Sequence, residues 1–295
     1  MSRGVLYIAT GPDHAREACL SAESVKTAMP DVPVALATDQ DVESPSVDEY
    51  LDVPDPAYGF ADKVYNLERT PFDRTVFLDT DTYVAHDISE LFDVLDGFDV
   101  AANQFPSWSP GDEWTDDIPE CYPEYSTGVL AYERSDRVWR FFEEWKTAFE
   151  DIAAQGETED QYSFRRASYE GDVRIATVPA NYNCIYWTLG TLAGPAKVFH
   201  GRYFDMDGPG ISEQQDLETA LEKVNASDRY RVFIQQDEYL RVHTWRGEGL
   251  VERLLISLRS HGLRYTVDRA VPALKRAVSD RTPIPVGSSG TTRTD

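Results

Sequence analysis

Apolar residues follow two spacings along the chain up to residue 199, and the two spacings alternate. Short apolar runs bounded by Gly, Pro or Asp are typical of buried strands, whereas apolar residues three and four apart are typical of helices. The predicted strands cover residues 5–10, 32–38, 75–78, 98–102, 127–132, 174–178 and 196–199. The predicted helices cover residues 15–29, 60–69, 88–95, 136–150 and 160–169. This alternation predicts an α/β domain with a largely parallel sheet.

Two segments depart from the alternation. Residues 104–125 combine four prolines with aromatic and acidic residues, which predicts a long loop of the kind that often carries function. Residues 241–281 hold nine Arg or Lys against four Asp or Glu, a net charge of +5, while the remainder of the chain carries −29. Their apolar residues recur at helical spacing, so the segment is expected to form two amphipathic basic helices.

These differences predict three parts: a main domain of residues 1–240, a basic helical tail of residues 241–285 and a flexible C-terminus of residues 286–295. Two interpretations of the tail are open. The basic helices pack back onto the acidic body, or residues 246–281 bind anionic lipid headgroups as a peripheral membrane contact.

Charge and cysteine usage narrow the function classes. The chain has 28 basic and 52 acidic residues and a net charge of −24, the wrong sign for binding nucleic acid, which we exclude as a partner. Such an acidic surface resembles proteins of salt-loving organisms. The three cysteines form no C-x-x-C pair, and no apolar run reaches the roughly 18 residues of a membrane span. We therefore expect a cytoplasmic protein, with a peripheral position on the inner membrane face as the alternative.

The sequence Asp79-Thr80-Asp81 is the strongest chemical signal. It follows the predicted strand 75–78, and α/β sheets bind ligands at the carboxyl ends of their strands. Two carboxylates two residues apart on a strand end point to the same side of the sheet. Hard oxygen ligands suit Mg²⁺ or Mn²⁺ bridging to phosphates, so we expect one of these two ions here.

The run from Thr75 to Val84 resembles the metal and nucleotide motif of GT-A fold glycosyltransferases, most closely glycosyltransferase family 8, the glycogenin and galactosyltransferase type. Further segments fall in the order of that family: the basic residue before the D-x-D, the small-residue strand near the donor sugar, the Asp-Gln pair at a helix start, and a late His in the metal shell. In this chain they are Lys63, Ser126-Thr-Gly-Val-Leu130, Asp160-Gln161 and Phe199-His200-Gly201. The match spans roughly residues 5–205.

The resemblance implies a GT-A fold, which is Rossmann-like and binds nucleoside-diphosphate sugars, with the amphipathic helices as a C-terminal extension. It implies metal ligation by Asp79, Asp81 and His200 and catalytic roles for Asp160 and Gln161. The candidate donor-binding residues are Ala9, Thr10, Lys63, Asp79, Thr80, Asp81, Asn103, Ser126, Gly128 and Arg202, of which Asn103 either binds sugar hydroxyls or turns the chain.

The implied activity is metal-dependent transfer of a sugar with retention, from a nucleoside-diphosphate sugar, a UDP-sugar being favoured, to a sugar, lipid-linked or protein acceptor. The chain departs from the family at two places. Ser126 stands where the family has Asn, and Arg202-Tyr-Phe follows His200-Gly201 in place of Lys-Pro-Trp. A guanidinium pairs phosphate oxygens bidentately, so Arg202 can replace the Lys.

Other interpretations of single residues stay open. His243 is a rival metal ligand, Asp160 is also a candidate helix cap, and Lys63 is also a candidate solvated charge. Trp108 and Trp114 either stack on an acceptor sugar or cover the core.

Two other functions also remain. A phosphatase of the haloacid dehalogenase type begins its site with D-x-D, normally after the first strand, and a non-catalytic module would bind the nucleotide sugar without turning it over.

Overall fold

A computed structural model describes residues 1–105, 114–115, 117–201, 217–236, 239–244, 258–259, 262–265, 267 and 271. The chain divides into two compact units, residues 1–245 and 246–295. The described residues of the second unit are helical. Within the described part of the chain, no helix has the length and apolar character needed to cross a membrane.

The first unit contains strands and helices in alternation. The strands are β1 (Arg3–Ile8), β2 (Val34–Thr38), β3 (Glu49–Asp52), β4 (Arg74–Leu78), β5 (Thr82–Val84), β6 (Val100–Gln104), β7 (Tyr125–Glu133), β8 (Ile175–Val178), β9 (Cys184–Ile185), β10 (Gly190–Leu192), β11 (Val198–His200), β12 (Arg231–Gln236) and β13 (Tyr239–Thr244). The α-helices are α1 (Pro12–Ala28), α2 (Phe60–Asn66), α3 (Glu90–Asp93), α4 (Asp136–Ala153), α5 (Asp160–Glu170) and α6 (Leu217–Asn225). Short 3₁₀ helices cover Leu67–Arg69, Val94–Asp96 and Ala180–Tyr182.

Seven strands form the central sheet in the order β3-β2-β1-β4-β7-β6-β8. The first four are parallel to one another, β6 is parallel to β8, and β7 runs antiparallel to both of its neighbours. In register, Val5 lies opposite Val34 on one side and Val76 on the other. The predicted α/β class with a largely parallel sheet is confirmed.

Both faces of this sheet are covered, which explains why its inner strands are continuous apolar runs. Alternate residues of β1 enter two separate cores because successive side chains of a strand point to opposite faces. Val5 and Tyr7 pack with Ala18 and Ala22 of α1 in one core. Leu6 and Ile8 belong to the other, to which α4 and α5 contribute Phe141, Trp145 and Phe164.

The turn from β1 into α1 depends on Gly11, whose φ of +81° is costly for a residue with a Cβ. Its amide donates to Asp39 Oδ1 (2.8 Å), and Pro12 begins the helix at a position where a missing N–H is tolerated. This tight turn places the start of α1 beside the carboxyl edge of the sheet.

A small sheet of order β5-β11-β9 was not predicted, although β11 overlaps the predicted strand 196–199. In it β11 pairs antiparallel with β5, so that His200 lies opposite Thr82, and it pairs parallel with β9, so that His200 lies opposite Ile185. Strands of two or three residues carry too short a pattern to be recognised from periodicity. This pairing brings the C-terminal part of the unit to the Asp79-Thr80-Asp81 segment.

Other differences are local. The predicted helix 88–95 is the single turn α3 followed by 3₁₀ helix, and the edge strand β3, which is mostly exposed and polar, has no apolar signal. A further sheet of order β10-β12-β13 was not predicted, and residues 241–244, which the sequence assigned to the start of the helical tail, belong to β13 and to the first unit because they pair with β12. Of the predicted loop 104–125, residues 106–113 and 116 lie outside the described residues.

Candidate active site

Asp79 and Asp81 flank the turn that joins β4 to β5. The Asp79 amide donates to the Gly128 carbonyl on β7 (2.8 Å), and the Thr82 hydroxyl donates back to the Asp79 carbonyl (2.7 Å). Both backbone groups of Asp79 are therefore hydrogen-bonded, which fixes the turn, and its two carboxylates project from the carboxyl edge of the sheet.

His200 completes a group of three possible metal ligands. Its Nε2 lies 3.2 Å from Asp81 Oδ1 and 3.9 Å from Asp79 Oδ2. One donor atom from each of the three residues lies within 4.8 Å of the others. Two carboxylate oxygens and an imidazole nitrogen form a donor set that suits Mn²⁺ or Mg²⁺.

A buried hydrogen-bond chain orients the imidazole. His200 Nδ1 donates to Asn183 Oδ1 (2.8 Å), and the Asn183 amide donates to Ser126 Oγ (2.9 Å). With Nδ1 occupied in this way, Nε2 is the atom that faces the carboxylates. Such partners orient metal-binding histidines and raise their affinity. Ser126, where the resemblance expects Asn, thus contributes through Asn183.

Gly128 provides the space in which His200 and Asp79 meet. A Cβ at this position would lie 2.3 Å from His200 Cε1 and 2.8 Å from Asp79 Oδ2. Contacts so short do not occur between non-bonded atoms, so any larger residue at 128 must displace one of the two side chains. The donor set therefore requires glycine here.

Lys63 joins the carboxylate pair to Asp160. Its Nζ lies 3.2 Å from Asp79 Oδ1 and 2.9 Å from Asp160 Oδ2, and it also donates to Thr127 Oγ1 (3.1 Å). Burial by itself lowers the pKa of Lys63, but the Asp160 and Asp79 carboxylates outweigh it and raise the pKa to about 12. The Lys63 side chain is 7% exposed, so it is a buried cation and not a solvated charge.

Protonation of the ligands follows from burial and from these neighbours. Burial raises the pKa of Asp79, against the opposing effect of Lys63 and His200. Burial acts to lower the pKa of His200, but Asp81 outweighs it and raises the pKa. Carboxylates and an imidazole this close together compete for protons, and a cation that binds them displaces those protons.

Asp160 and Gln161 begin α5. Asp160 is only 2% exposed, and the cap position of α5 belongs to Glu159, which makes no side-chain cap bond. The helix-cap alternative for Asp160 is therefore wrong. Its carboxylate faces Lys63 instead, and both Asp160 and Gln161 line the cavity described next.

A cavity of about 920 Å³ opens above the three possible ligands. Most of the residues that the sequence singles out line it: Ala9, Thr10, Lys63, Asp79, Thr80, Asp81, Ser126, Gly128, Asp160, Gln161 and His200. Asn103 does not; its amide donates to the Val178 carbonyl (3.0 Å). His243 is exposed on β13, where it pairs with Val232 of β12.

Two predicted residues, Arg202 and Trp108, lie outside the described residues. Trp114 is half-buried, and its carbonyl accepts a hydrogen bond from Arg166 (2.6 Å).

The cavity also contains residues that sequence reasoning missed. Tyr58 is 65% exposed and has a positive φ of 57°, with its amide bound to Asp62 Oδ2 (2.7 Å). Trp187 lines the same cavity and contacts the ring of Phe105 at 6.0 Å between centroids. No local pattern marks these residues. No sequence pattern marks Asn183 either, because its contact with His200 depends on the pairing of β9 with β11.

Comparison with known proteins supports the fold. No family model and no curated protein matches the chain. Among solved structures, the galactosyltransferase LgtC in complex with donor and acceptor sugar analogues aligns with a TM-score of 0.50 at 14% identity, covering 70% of this chain and 87% of LgtC. An active-site mutant of LgtC aligns with a TM-score of 0.54 at 14% identity, covering 74% and 95%.

A third structure, the glycosyltransferase GlyE of Streptococcus pneumoniae TIGR4, aligns with a TM-score of 0.48 at 14% identity, covering 63% of this chain and 47% of GlyE. The two LgtC alignments, together with the sheet described above, show the fold. The first unit has the GT-A fold that the sequence predicted.

Proposed function

We propose that this protein is a metal-dependent glycosyltransferase that takes its sugar from a nucleoside-diphosphate donor. One observation carries the proposal: Asp79, Asp81 and His200 converge within 4.8 Å at the base of the cavity, with Lys63 linking Asp79 to Asp160. This site lies at the carboxyl edge of a GT-A sheet, where α/β proteins bind nucleotides.

The residues present fit a divalent cation. The donor atoms are of the right type and close enough to share one ion, the imidazole is oriented by Asn183, and Gly128 leaves the space they need. When bound, Mn²⁺ or Mg²⁺ supplies positive charge that stabilises a diphosphate leaving group without a protein proton donor.

Lys63 and Asp160 are proposed to act on the two sides of the bond that breaks. The buried Lys63 ammonium favours a phosphate or a developing negative charge within its reach. Asp160 is a carboxylate fit to stabilise positive charge at the anomeric carbon, to act as nucleophile or to act as base. Gln161, next to it in the cavity, is proposed to hydrogen-bond the sugar.

The finer features of the activity follow the family resemblance. We propose a UDP-sugar as donor, transfer with retention, and Thr10, Thr80, Ser126 and Arg202 among the donor contacts. The acceptor is a sugar, a lipid-linked glycan or a protein. A lipid-linked acceptor suits a peripheral membrane position through residues 246–281, in an otherwise cytoplasmic protein.

The proposal is tested by calorimetric titration of UDP-, GDP- and TDP-sugars at high salt, with and without Mn²⁺. We expect one donor class to bind only with Mn²⁺, and Asp81→Ala to abolish that binding because it removes one of three ligands. Asp31→Ala is the matched control, since Asp31 is exposed between α1 and β2, at the opposite edge of the sheet. Binding that persists in Asp81→Ala would exclude this metal site.

A further inference from the structure

Helix α1 carries polar residues on the face that it buries. Glu17, Ser21 and Ser24 recur at i, i+4 and i+7, the spacing that places side chains on one face of a helix. All three are buried, and Glu17 is 5% exposed. A buried helix face is normally apolar, so the three polar side chains on this face require hydrogen-bond partners.

The partners lie on the segment that carries the possible metal ligands. Thr80 Oγ1 donates to Glu17 Oε2 (2.5 Å). Ser21 Oγ lies 3.0 Å from Thr82 Oγ1, and the Val84 amide donates to Ser24 Oγ (2.9 Å).

The helical spacing on α1 is thus matched to alternate residues of the segment 80–84. The three contacts anchor the segment at Thr80 in the turn and at Thr82 and Val84 of β5, so they fix it in both position and register. Tyr7 of the central sheet extends the contact, since its hydroxyl lies 2.8 Å from Ser21 Oγ.

Glu17 differs from the two serines because it brings a buried charge. Its second oxygen, Oε1, has no hydrogen-bond partner among the described residues, and the nearest basic group, His14 Nδ1, lies 3.6 Å from Oε2. A buried carboxylate with an unpaired oxygen is destabilising. A nearby cation would offset that cost. Thr80, which is hydrogen-bonded to Glu17, lies between Asp79 and Asp81, the two carboxylates of the proposed metal site.

We infer that Glu17 is a positioning residue for that site. Its hydrogen bond to Thr80 fixes the backbone between Asp79 and Asp81, and its negative charge adds to the attraction of this region for a divalent cation. The inference rests on the proposed function, because it assigns Glu17 a role in binding the metal that the proposal requires. Glu17 itself is not a ligand in this account.

The test is the dissociation constant for Mn²⁺, measured by calorimetry on the full chain without any nucleotide. Glu17→Gln keeps the shape and removes the charge, and we expect it to weaken Mn²⁺ binding about tenfold, the size typical of groups that support metal ligands. Glu23→Gln is the matched control, because Glu23 is an exposed carboxylate on the same helix, and its Mn²⁺ binding should be unchanged.

A second variant tests the same hydrogen bond by changing its donor, Thr80. Thr80→Val removes the donor to Glu17 at similar volume, and we expect it also to weaken Mn²⁺ binding about tenfold. In the metal-free protein, Glu17→Gln should melt at the wild-type temperature or above it, because the variant removes the cost of burying a carboxylate with one unpaired oxygen.

The outcomes separate the two claims. Wild-type protein that does not bind Mn²⁺ overturns both the proposed function and this inference. Wild-type binding that is unchanged in Glu17→Gln and Thr80→Val overturns the inference alone. A lower melting temperature of metal-free Glu17→Gln with unchanged Mn²⁺ affinity also overturns it, since Glu17 would then serve only the fold.

Discussion

At the scale of single residues, the candidate site depends on the small size of Gly128 as well as on the three possible metal ligands. Gly128 lies on β7, between the turn that carries Asp79 and the strand end that carries His200. The sequence marked Gly128 as a donor contact through the family resemblance. The structure adds a packing reason, because any Cβ at this position would lie within 3 Å of an atom of His200 and of an atom of Asp79, two of the possible ligands.

Gly128→Ala is therefore expected to weaken Mn²⁺ binding by at least tenfold while the protein stays folded. The added Cβ displaces His200 or Asp79, and the three donor atoms can then no longer converge on one ion. Calorimetry measures the affinity, and circular dichroism monitors the fold. Gly97→Ala is the control, since a Cβ at Gly97 would meet no atom within 4 Å. Equal Mn²⁺ affinity in the two variants would contradict the proposed geometry.

At the scale of elements, the long helices of the first 200 residues and the inner strands of the central sheet were predictable, and most strands of the two smaller sheets were not. Helix α4 and strands β1, β2 and β4 are recognised from local periodicity, because their apolar residues repeat over whole turns or unbroken runs. The pairing of β5 with β11 joins segments over a hundred residues apart in the chain, and the pairing of β11 with β9 joins two strands of three and two residues.

That distant pairing decides which histidine reaches the carboxylates. The sequence left His200 and His243 as alternatives, and the structure places His200 beside Asp81 and leaves His243 exposed on β13. Asn183 and Glu17 were missed for the same reason. Their partners are set by tertiary packing, and neither belongs to a sequence motif.

An ion-pair cluster joins three elements at the edge of the sheet opposite the site. Asp99, just before β6, accepts hydrogen bonds from Arg174, just before β8 (2.7 Å), and from Arg137 of α4 (3.2 Å). The hydrogen bonds from Arg174 lower the pKa of Asp99 from 3.8 to about 2, because they outweigh burial, which by itself raises that pKa. A carboxyl whose pKa is depressed on folding stabilises the protein above its unfolded pKa.

Asp99→Asn should consequently lower the free energy of unfolding by about 2 kcal/mol at pH 7. The difference from wild type should shrink as the pH falls from 4 to 2, because the native carboxyl is then protonated as well. Urea unfolding at a series of pH values measures this, with Asp31→Asn as an exposed control. A difference that stays constant between pH 4 and pH 2 would rule out this origin of the stability.

At the scale of the whole molecule, the charges are unevenly divided. Residues 241–281 carry a net charge of +5 and the remainder of the chain −29. A basic amphipathic segment gains roughly 1 kcal/mol per Lys or Arg near an anionic lipid surface at low salt. This arrangement favours a peripheral membrane contact through residues 246–281, which remains a prediction.

Vesicle flotation tests that contact. The full chain should bind vesicles containing anionic lipid and not neutral ones, and binding should fall as salt is added, since screening weakens exposed charges. A variant lacking residues 246–295, which form a separate compact unit, should lose vesicle binding and keep Mn²⁺-dependent donor binding. Equal binding of both proteins to anionic vesicles would exclude the segment as the membrane contact.

In the proposed function, the first unit cleaves a nucleoside-diphosphate sugar with the help of a cation held by Asp79, Asp81 and His200. The most direct measurement is the release of nucleoside diphosphate from UDP-, GDP- and TDP-sugars by wild type and Asp81→Ala, each with Mn²⁺ and with EDTA. The account predicts release from one donor class by wild type with Mn²⁺ only. Release of phosphate from a generic ester, with every sugar donor left intact, would contradict it and favour a phosphatase.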